Sequence, residues 1–175
     1  MLHSFIFALT ILFLNSTVLG ATHPLTGSSL INQPNSSWAL SQLGFKLNNI
    51  PPNWAYNKSI DNTAKSIELG VNNQTLLSFR LENVSIKTHL EHYVRQYLRD
   101  YHQYGFDIVG LHSQKNGTGT IAVVDLKQKN NSTKSRQVFF HNQDKIIIAT
   151  CADNATNFDS TAATCNQILN SFQWR

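Results

Sequence analysis

Residues 106–151 have the sequence FDIVGLHSQKNGTGTIAVVDLKQKNNSTKSRQVFFHNQDKIIIATC, in which four apolar segments are separated by short polar turns. The segments are Phe106–His112, Thr120–Lys127, Arg136–His141 and Lys145–Cys151. Connections this short join only antiparallel neighbours, because a parallel return needs a crossover of about a dozen residues or more. Asn116-Gly117 is a strong hairpin signal, and Asn130-Asn131 and residues 142–144 also suit turns. The stretch therefore predicts an antiparallel meander.

Two of these segments are apolar on both strand faces, namely Ile121–Val124 and Ile146–Ala149. A strand that is apolar on both faces is typical of a sheet covered on both sides. We therefore expect an α+β fold in which helices sandwich the antiparallel meander.

The first covering helix is predicted just before the meander, where apolar residues recur with a helical period. They are Ile86, Leu90, Tyr93, Tyr97, Tyr101 and Tyr104. Ser85 suits the N-cap, Gly105 suits a left-handed residue at the C-terminal end, and Glu91 to Arg95 is a favourable i,i+4 pair.

The second helix is predicted at the C-terminus by the spacing of Phe158, Ala162, Cys165, Leu169 and Phe172. Cys165 falls on its core-facing side, and Cys151 ends the preceding strand, so a disulfide between the two is reasonable. It would close a loop of about 15 residues and stabilise the domain by roughly 3 kcal/mol. The alternatives are two separate buried thiols or, less favourably, a metal site, since neither residue belongs to a CxxC motif.

Shorter strands are predicted upstream at Phe45–Leu47, Lys65–Val71 and Leu76–Leu81, with Asn72-Asn73 as a turn. Pro51 and Pro52 lack backbone donors and force the chain out of the sheet between the first two strands.

The chain begins with a ten-residue apolar run, Phe5–Leu14, followed by small and polar residues. This pattern predicts a secretory signal peptide over residues 1–20, since the run is too short to span a bilayer. Residues 21–37 are rich in Thr, Pro, Gly, Ser and Asn and predict a flexible arm. Residues 38–175 are then one domain, exported to the periplasm or secreted, with no transmembrane segment after cleavage.

The leader contains no Asp, Glu, Lys or Arg, so the net charge of +4 belongs to the remaining chain. This mild excess is too small for the concentrated basic stripe of a nucleic-acid binder, so nucleic acid is not expected as a partner. After residue 20, Asn-X-Ser/Thr triplets occur at Asn35, Asn57, Asn73, Asn83, Asn116, Asn130, Asn131 and Asn154, and we interpret them as a consequence of composition.

No catalytic constellation is recognisable, because the chain has no Gly-X-Ser-X-Gly elbow and no informative pair of carboxylates. His89 and His92 lie one helical turn apart and could offer two metal ligands, but no third is identifiable. His112 and His141 end strands and could converge on one rim. We interpret all four as solvated side chains and expect neither a metal nor another cofactor.

Two features are candidate binding surfaces. The helical stripe Tyr93, Tyr97, Tyr101 and Tyr104 suits either core packing or a ligand groove between helix and sheet. The hairpin from Lys127 to Arg136 carries four cations and no acid, so it suits either a solvated tip or the docking of an acidic partner or anionic membrane. These cations are Lys127, Lys129, Lys134 and Arg136.

Two local patterns carry a family resemblance: GFKLNNIPPNW at residues 44–54 and CNQILNSFQW at residues 165–174. With the predicted order of strands, long helix, meander and terminal helix, they resemble the PsbP/DcrB-like α/β/α sandwich, which also includes the Mog protein. The resemblance extends from Leu43 to Trp174. It departs from the bacterial relatives in having no lipobox cysteine after the leader, and from other members in having no acidic Ran-docking surface and no manganese-linked site.

The resemblance implies a non-enzymatic protein that docks, assembles or stabilises partners. We therefore predict an exported binding or assembly factor of the bacterial envelope or extracellular space, which presents a surface to an unidentified protein or an anionic membrane. The alternative is a carrier of a small hydrophobic ligand in the tyrosine-lined space.

Overall fold

The computed structural model of the chain describes residues 43–57, 66–72, 74–116, 119–130 and 132–175. The predicted signal peptide and arm lie outside these residues, as do Lys65, Asn73, Gly117 and Asn131 of the predicted strands and turns. Within the described residues there are nine strands and two helices. They are β1 (Phe45–Lys46), β2 (Ala55–Asn57), β3 (Ser66–Val71), β4 (Gln74–Asn83), α1 (Leu90–Leu98), β5 (Phe106–Asn116), β6 (Gly119–Gln128), β7 (Thr133–Asn142), β8 (Lys145–Asn154), α2 (Phe158–Leu169) and β9 (Gln173–Trp174).

The predicted meander is present as β5 to β8, and it continues into a seven-stranded sheet in the order β2-β3-β4-β8-β7-β6-β5. Every neighbouring pair in the described sheet is antiparallel. β4 lies beside β8 in the middle of the sheet, while β5, which follows β4 in the chain, forms the far edge. The connection from β4 to β5 therefore crosses one face of the sheet, and α1 lies within it.

The two helices cover opposite faces, so the prediction of an α+β sandwich is confirmed. On one face, α1 contributes Leu90, Val94 and Leu98 to a cluster with alternate residues of the meander such as Val124 and Phe139. On the other face, α2 contributes to a second cluster, in which Cys165 and Ile168 pack with residues of β4, β7 and β8. Successive side chains of a strand point to opposite faces of the sheet. The two segments that are apolar on both faces therefore contribute alternate side chains to each of the two clusters.

Helix α1 is shorter than the tyrosine stripe predicts. It begins at Leu90, and Ser85 instead accepts backbone hydrogen bonds from Lys87 and Thr88 in a preceding turn (3.3 and 2.8 Å). After Leu98 the chain continues in tight turns, such as that closed by the hydrogen bond from Tyr101 N to Leu98 O (3.0 Å). Gly105 has the predicted positive φ (+84°), but it lies in these turns and not directly at the helix end.

The two motifs that carry the family resemblance lie side by side. β1 and β9 form a two-stranded antiparallel ribbon in which Phe45 is opposite Trp174. Ser171 accepts hydrogen bonds from the backbone N–H groups of Asn48 and Asn49 (3.1 and 3.3 Å). Phe172 stacks between Phe45 and Phe140, at centroid distances of 4.9 and 3.9 Å. The paired motifs thus close the core on the α2 face. Neither β9 nor β2 was predicted.

Cys151 and Cys165 form the predicted disulfide, with a Cα–Cα distance of 6.3 Å. Both residues are fully buried, Cys151 in β8 and Cys165 on the sheet-facing side of α2. The bond joins the last helix covalently to the centre of the sheet.

Candidate functional site

The predicted basic hairpin is the connection between β6 and β7, but its four cations lie in three different environments. Arg136 is paired with Asp125, which lies directly opposite it on β6. Its guanidinium donates two hydrogen bonds to the carboxylate, at 2.7 and 3.0 Å, and a third to Asn166 of α2 at 3.3 Å. Arg136 therefore holds the sheet and α2 together, and its charge is neutralised locally.

Lys127 and Lys134 are directly opposite one another, two register positions further towards the hairpin tip. The two side chains share the face of the sheet on which α2 packs, as Asp125 and Arg136 do. Lys134 approaches Asp159 of α2 at 3.6 Å, and that carboxylate is almost fully exposed. Lys127 has no ion-pair partner among the described residues.

Lys129 lies beyond the end of β6, and its ammonium donates a hydrogen bond to the backbone carbonyl of His102 (3.0 Å). The lysine side chain is exposed. We call Lys127, Lys129 and Lys134 the basic end of the sheet, because within the described part of the chain these three cations lack the bidentate carboxylate partner that Arg136 has.

A cavity of about 230 Å³ lies beside the basic end, between α2 and strands β5, β6 and β7. Its charged lining residues are Asp125, Lys127, Lys134, Arg136 and Asp159. Val109 and Phe158 add apolar surface. Val109 is the extra residue of a β-bulge in the edge strand β5, and it is 63% exposed. The cavity thus combines paired and unpaired charges with an exposed apolar wall.

Sequence reasoning missed the acidic members of this group for a definite reason. Asp125 lies two residues before the predicted hairpin of Lys127 to Arg136, and Asp159 belongs to α2, so neither carboxylate falls within the hairpin sequence. The sequence did contain a signal for this grouping, because charged residues alternate at Asp125 and Lys127 on β6 and at Lys134 and Arg136 on β7. In the observed register these four positions share one face of the sheet.

Three of the four tyrosines in the stripe form a packed row between α1 and the sheet. The ring of Tyr97 meets Phe139 edge-on at 5.4 Å and lies 6.1 and 5.6 Å from the rings of Tyr93 and Tyr101. Tyr104 is separate from the row and 69% exposed. The rings of the row pack against one another and against the sheet, which is the core-packing interpretation of the stripe.

The tyrosine hydroxyls of this row belong to a polar chain that links β4 to β7. Tyr93 donates to Glu82, Arg80 donates to the hydroxyl of Tyr97 (3.2 Å), and Tyr101 donates to Tyr97 (3.1 Å). Gln137 of β7 in turn donates to Tyr101 at 3.1 Å. Each of the three half-buried hydroxyls thereby has a partner on the sheet or on a neighbouring ring.

Burial, and then the hydrogen bond to Glu82, raises the pKa of Tyr93 far above its ordinary value of 10. Burial, and then the adjacent Tyr101, raises the pKa of Tyr97 in the same direction. Both phenols therefore stay protonated well into the alkaline range.

The histidines do not come together as a metal centre within the described residues. His89 and His92 are exposed on and just before α1, and the ring of His141 is bonded to the carbonyl of Gln143 (3.0 Å). No group of three or more His, Cys, Asp or Glu side chains in the described part of the chain is arranged to hold a metal ion. Among the same residues, no helix has the length and apolarity needed to cross a membrane.

Neither a family model nor a curated protein sequence matches the chain. Solved structures do match. The solution structure of cyanobacterial PsbP (CyanoP) from Synechocystis sp. PCC 6803 superposes with a TM-score of 0.59 at 10% sequence identity, over 77% of this chain and 89% of that one. The crystal structure of PA94 from Pseudomonas aeruginosa, described as a protein of unknown function and putative regulator, gives a TM-score of 0.51 at 13% identity, over 75% and 97% of the two chains. The resemblance expected from the two quoted motifs is thus matched in three dimensions, and the chain has a PsbP-like fold.

Proposed function

We propose that this chain is an exported, non-catalytic accessory protein that docks an acidic protein partner through its basic end. The observation that carries the proposal is the juxtaposition of Lys127 and Lys134 on one sheet face, with Lys129 beyond them. Cations that lack strong internal partners are available to an external acidic group, whereas Arg136 is committed to Asp125.

Export is supported by the apolar leader and by the disulfide between Cys151 and Cys165. Disulfides persist in oxidising compartments such as the bacterial periplasm and the extracellular space. Both structural neighbours come from bacteria, in keeping with a periplasmic or secreted protein of a bacterial envelope.

A non-catalytic role is compatible with the similarity to a cyanobacterial PsbP. Because one fold hosts many functions, the argument rests equally on the site itself. The charged residues that line the cavity are one closed ion pair, two lysines and the exposed Asp159, which suits recognition of charge more than proton transfer or nucleophilic attack.

A protein partner is favoured over a membrane by the mixture of charges around the basic end. Asp125 and Asp159 lie beside the lysines, and Asp107 is opposite Lys127 on β5. Interspersed carboxylates would be repelled by an anionic lipid surface, whereas a protein can place its acids against the lysines and avoid these aspartates.

The carrier alternative is less well supported. It requires space between α1 and the sheet, and the rings of Tyr93 and Tyr97 both pack edge-on against Phe139 there, at 6.4 and 5.4 Å. A ligand would have to displace these contacts and the hydroxyl network.

The test is charge reversal that spares Arg136, because reversing Arg136 would break its pair with Asp125. The triple variant Lys127→Glu, Lys129→Glu, Lys134→Glu is compared with a control that reverses Lys46, Lys87 and Lys145, which are cations outside the basic end. Both variants change the net charge equally. The partner is captured from a native envelope extract with the wild-type protein and purified, and its affinity is then measured calorimetrically at about 30 and 300 mM salt.

We expect the basic-end triple to weaken binding by at least tenfold at low salt, with a smaller effect at high salt, while the control changes it less than about twofold. Equal binding by the two variants would overturn the proposal. Sedimentation with phosphatidylglycerol-containing vesicles is the parallel measurement. Loss of vesicle binding, with no captured protein affected, would assign the surface to a membrane.

A further inference from the structure

The pairing of Lys127 with Lys134 is unfavourable in isolation. In antiparallel strands, directly opposite side chains have Cβ atoms about 5 Å apart, and like charges at such positions destabilise the sheet. Asp159 approaches only Lys134 and is almost fully exposed. Solvent therefore screens its attraction to the lysine, and it offsets the repulsion between the two lysines only weakly. Asp107, opposite Lys127 on β5, lies 4.0 Å from His102 Nε2 and forms no ion pair with the lysine.

The charges that line the cavity leave an excess of one positive charge. Lys127, Lys134 and Arg136 face two carboxylates, and the bidentate pair of Arg136 with Asp125 cancels one of each. A single monoanion between the two lysines would balance the remainder. A dianion would exceed the available charge and would approach Asp125 and Asp159 closely.

The cavity also offers a place for a hydrocarbon group. Val109 is raised out of the regular strand by the bulge between Ile108 and Gly110, and its exposed side chain lines the cavity together with Phe158. A volume of about 230 Å³ exceeds that of a bare carboxylate, since one water molecule occupies about 30 Å³ of liquid.

We propose that this cavity binds the carboxylate of an acidic group carried on a short aliphatic stem, with the oxygens between the ammonium groups of Lys127 and Lys134 and the stem against Val109 and Phe158. The inference rests on the proposed function, in which the group is a Glu or Asp side chain of the partner. The lysines supply the charge-assisted hydrogen bonds, and the aspartates exclude more highly charged anions.

The test uses small anions as probes with the full-length protein. Acetate, 3-methylbutanoate and inorganic phosphate are titrated against chloride at constant ionic strength, and the backbone amide resonances of residues 125–136 are followed by NMR. We expect saturable shifts with 3-methylbutanoate at a Kd of about 1–10 mM, a several-fold weaker Kd with acetate, and no saturation with phosphate.

Two variants test the site directly. Lys127→Met removes the charge and keeps the stem, so it should weaken 3-methylbutanoate binding about tenfold, whereas Lys87→Met at an exposed position outside the cavity should leave it unchanged. The Lys127→Met protein should also melt at the same or a higher temperature at low salt, because the like-charge pair is gone. That measurement separates loss of the site from loss of the fold.

Unsaturable shifts that are the same for every anion, or equal binding by Lys127→Met and wild type, would overturn the proposal. Saturation by phosphate in preference to the carboxylates would assign the cavity to phosphate. Lys129→Glu distinguishes this inference from the proposed function, since Lys129 lies at the basic end but does not line the cavity. Partner docking that depends on Lys129 but not on Lys127 would retain the function and refute the carboxylate site.

Discussion

Arg136 and Asp125 face each other across β6 and β7, and the guanidinium binds both carboxylate oxygens, at 2.7 and 3.0 Å. Each side chain is 27% exposed, so the pair is shielded from solvent without being fully buried. The hydrogen bonds to Asp125 raise the pKa of Arg136 and keep it charged. A residue expected to meet a partner thus contributes first to the structure of its own domain.

The first prediction concerns this pair. Arg136→Gln and Asp125→Asn should each lower the free energy of unfolding by about 1–2 kcal/mol, because hydrogen bonds to charged groups contribute at this level and partial exposure screens them. Urea denaturation of both single variants and the double variant provides the measurement. The free energy of unfolding should fall clearly less in the double variant than the sum of the decreases in the two single variants. Strict additivity of these decreases would show that the two residues are not coupled.

The second prediction concerns alkaline pH. Because the folded state raises the pKa of Tyr93 and Tyr97, it retains protons that the unfolded chain releases near pH 10. The contribution of these groups is therefore complete below about pH 10 and declines as the pH rises above it. The denaturation midpoint of the wild-type protein should fall as the pH is raised from about 8 to 12. The midpoint of the Tyr93→Phe, Tyr97→Phe double variant should fall less steeply over the same range. Tyr104→Phe, outside the packed row, is the control and should match the wild-type slope.

The third prediction concerns the disulfide. Its sequence separation of 14 residues corresponds to about 3 kcal/mol in the chain-entropy model, so reduction should lower the melting temperature by roughly 10 °C. Differential scanning calorimetry with and without reductant measures the shift, and Cys151→Ala, Cys165→Ala should no longer respond to reductant. Recovery of two alkylated thiols from unreduced native protein would contradict the bond.

The fourth prediction concerns the β3–β4 hairpin. A Cβ at Gly70 would lie 1.7 Å from the backbone oxygen of Gln74, so Gly70→Ala should cost about 3 kcal/mol or more through displacement of the backbone. Gly44→Ala is the matched comparison. Gly44 has a φ of +81° but, among the described residues, no atom within 4 Å of the added Cβ, so the cost of its substitution should be about 1 kcal/mol. Equal denaturation midpoints for the two variants would show that the hairpin accommodates the methyl group.

The meander and both helices could be predicted because hydrophobic period reports which side chains are buried. The helix limits could not, since Tyr101 stays in the packed row although the chain there has already left the α-helix for tight turns. The spacing of apolar residues indicates which side chains are buried. It does not show where the backbone hydrogen bonding changes from an α-helix to tight turns. Ile86, at the other end of the stripe, is 72% exposed, because the chain before Leu90 forms a turn and not the predicted helix.

The candidate site was predicted only in part because charge partners are distant in sequence. Lys134 and Asp159 belong to a strand and a helix, and their proximity depends on how α2 packs on the sheet. The pairing of β4 with β8 is equally remote, since Leu77 is opposite Cys151. The local sequence pattern identifies helices and strands. Which of their charged side chains lie close together is determined by the long-range pairing of those elements.

The ribbon of β1 and β9 has a consequence for the order of folding. Phe45 pairs with Trp174, and the backbone N–H of Arg175 donates to the carbonyl of Gly44 (3.0 Å), so the first described strand gains its partner only from the last residues of the chain. Such non-local contacts form late, because most of the chain must be ordered before its distant segments meet. A nascent chain therefore cannot pair β1 until residues 173–175 have emerged from the ribosome, and until then the aromatic stack of Phe45, Phe172 and Phe140 stays incomplete.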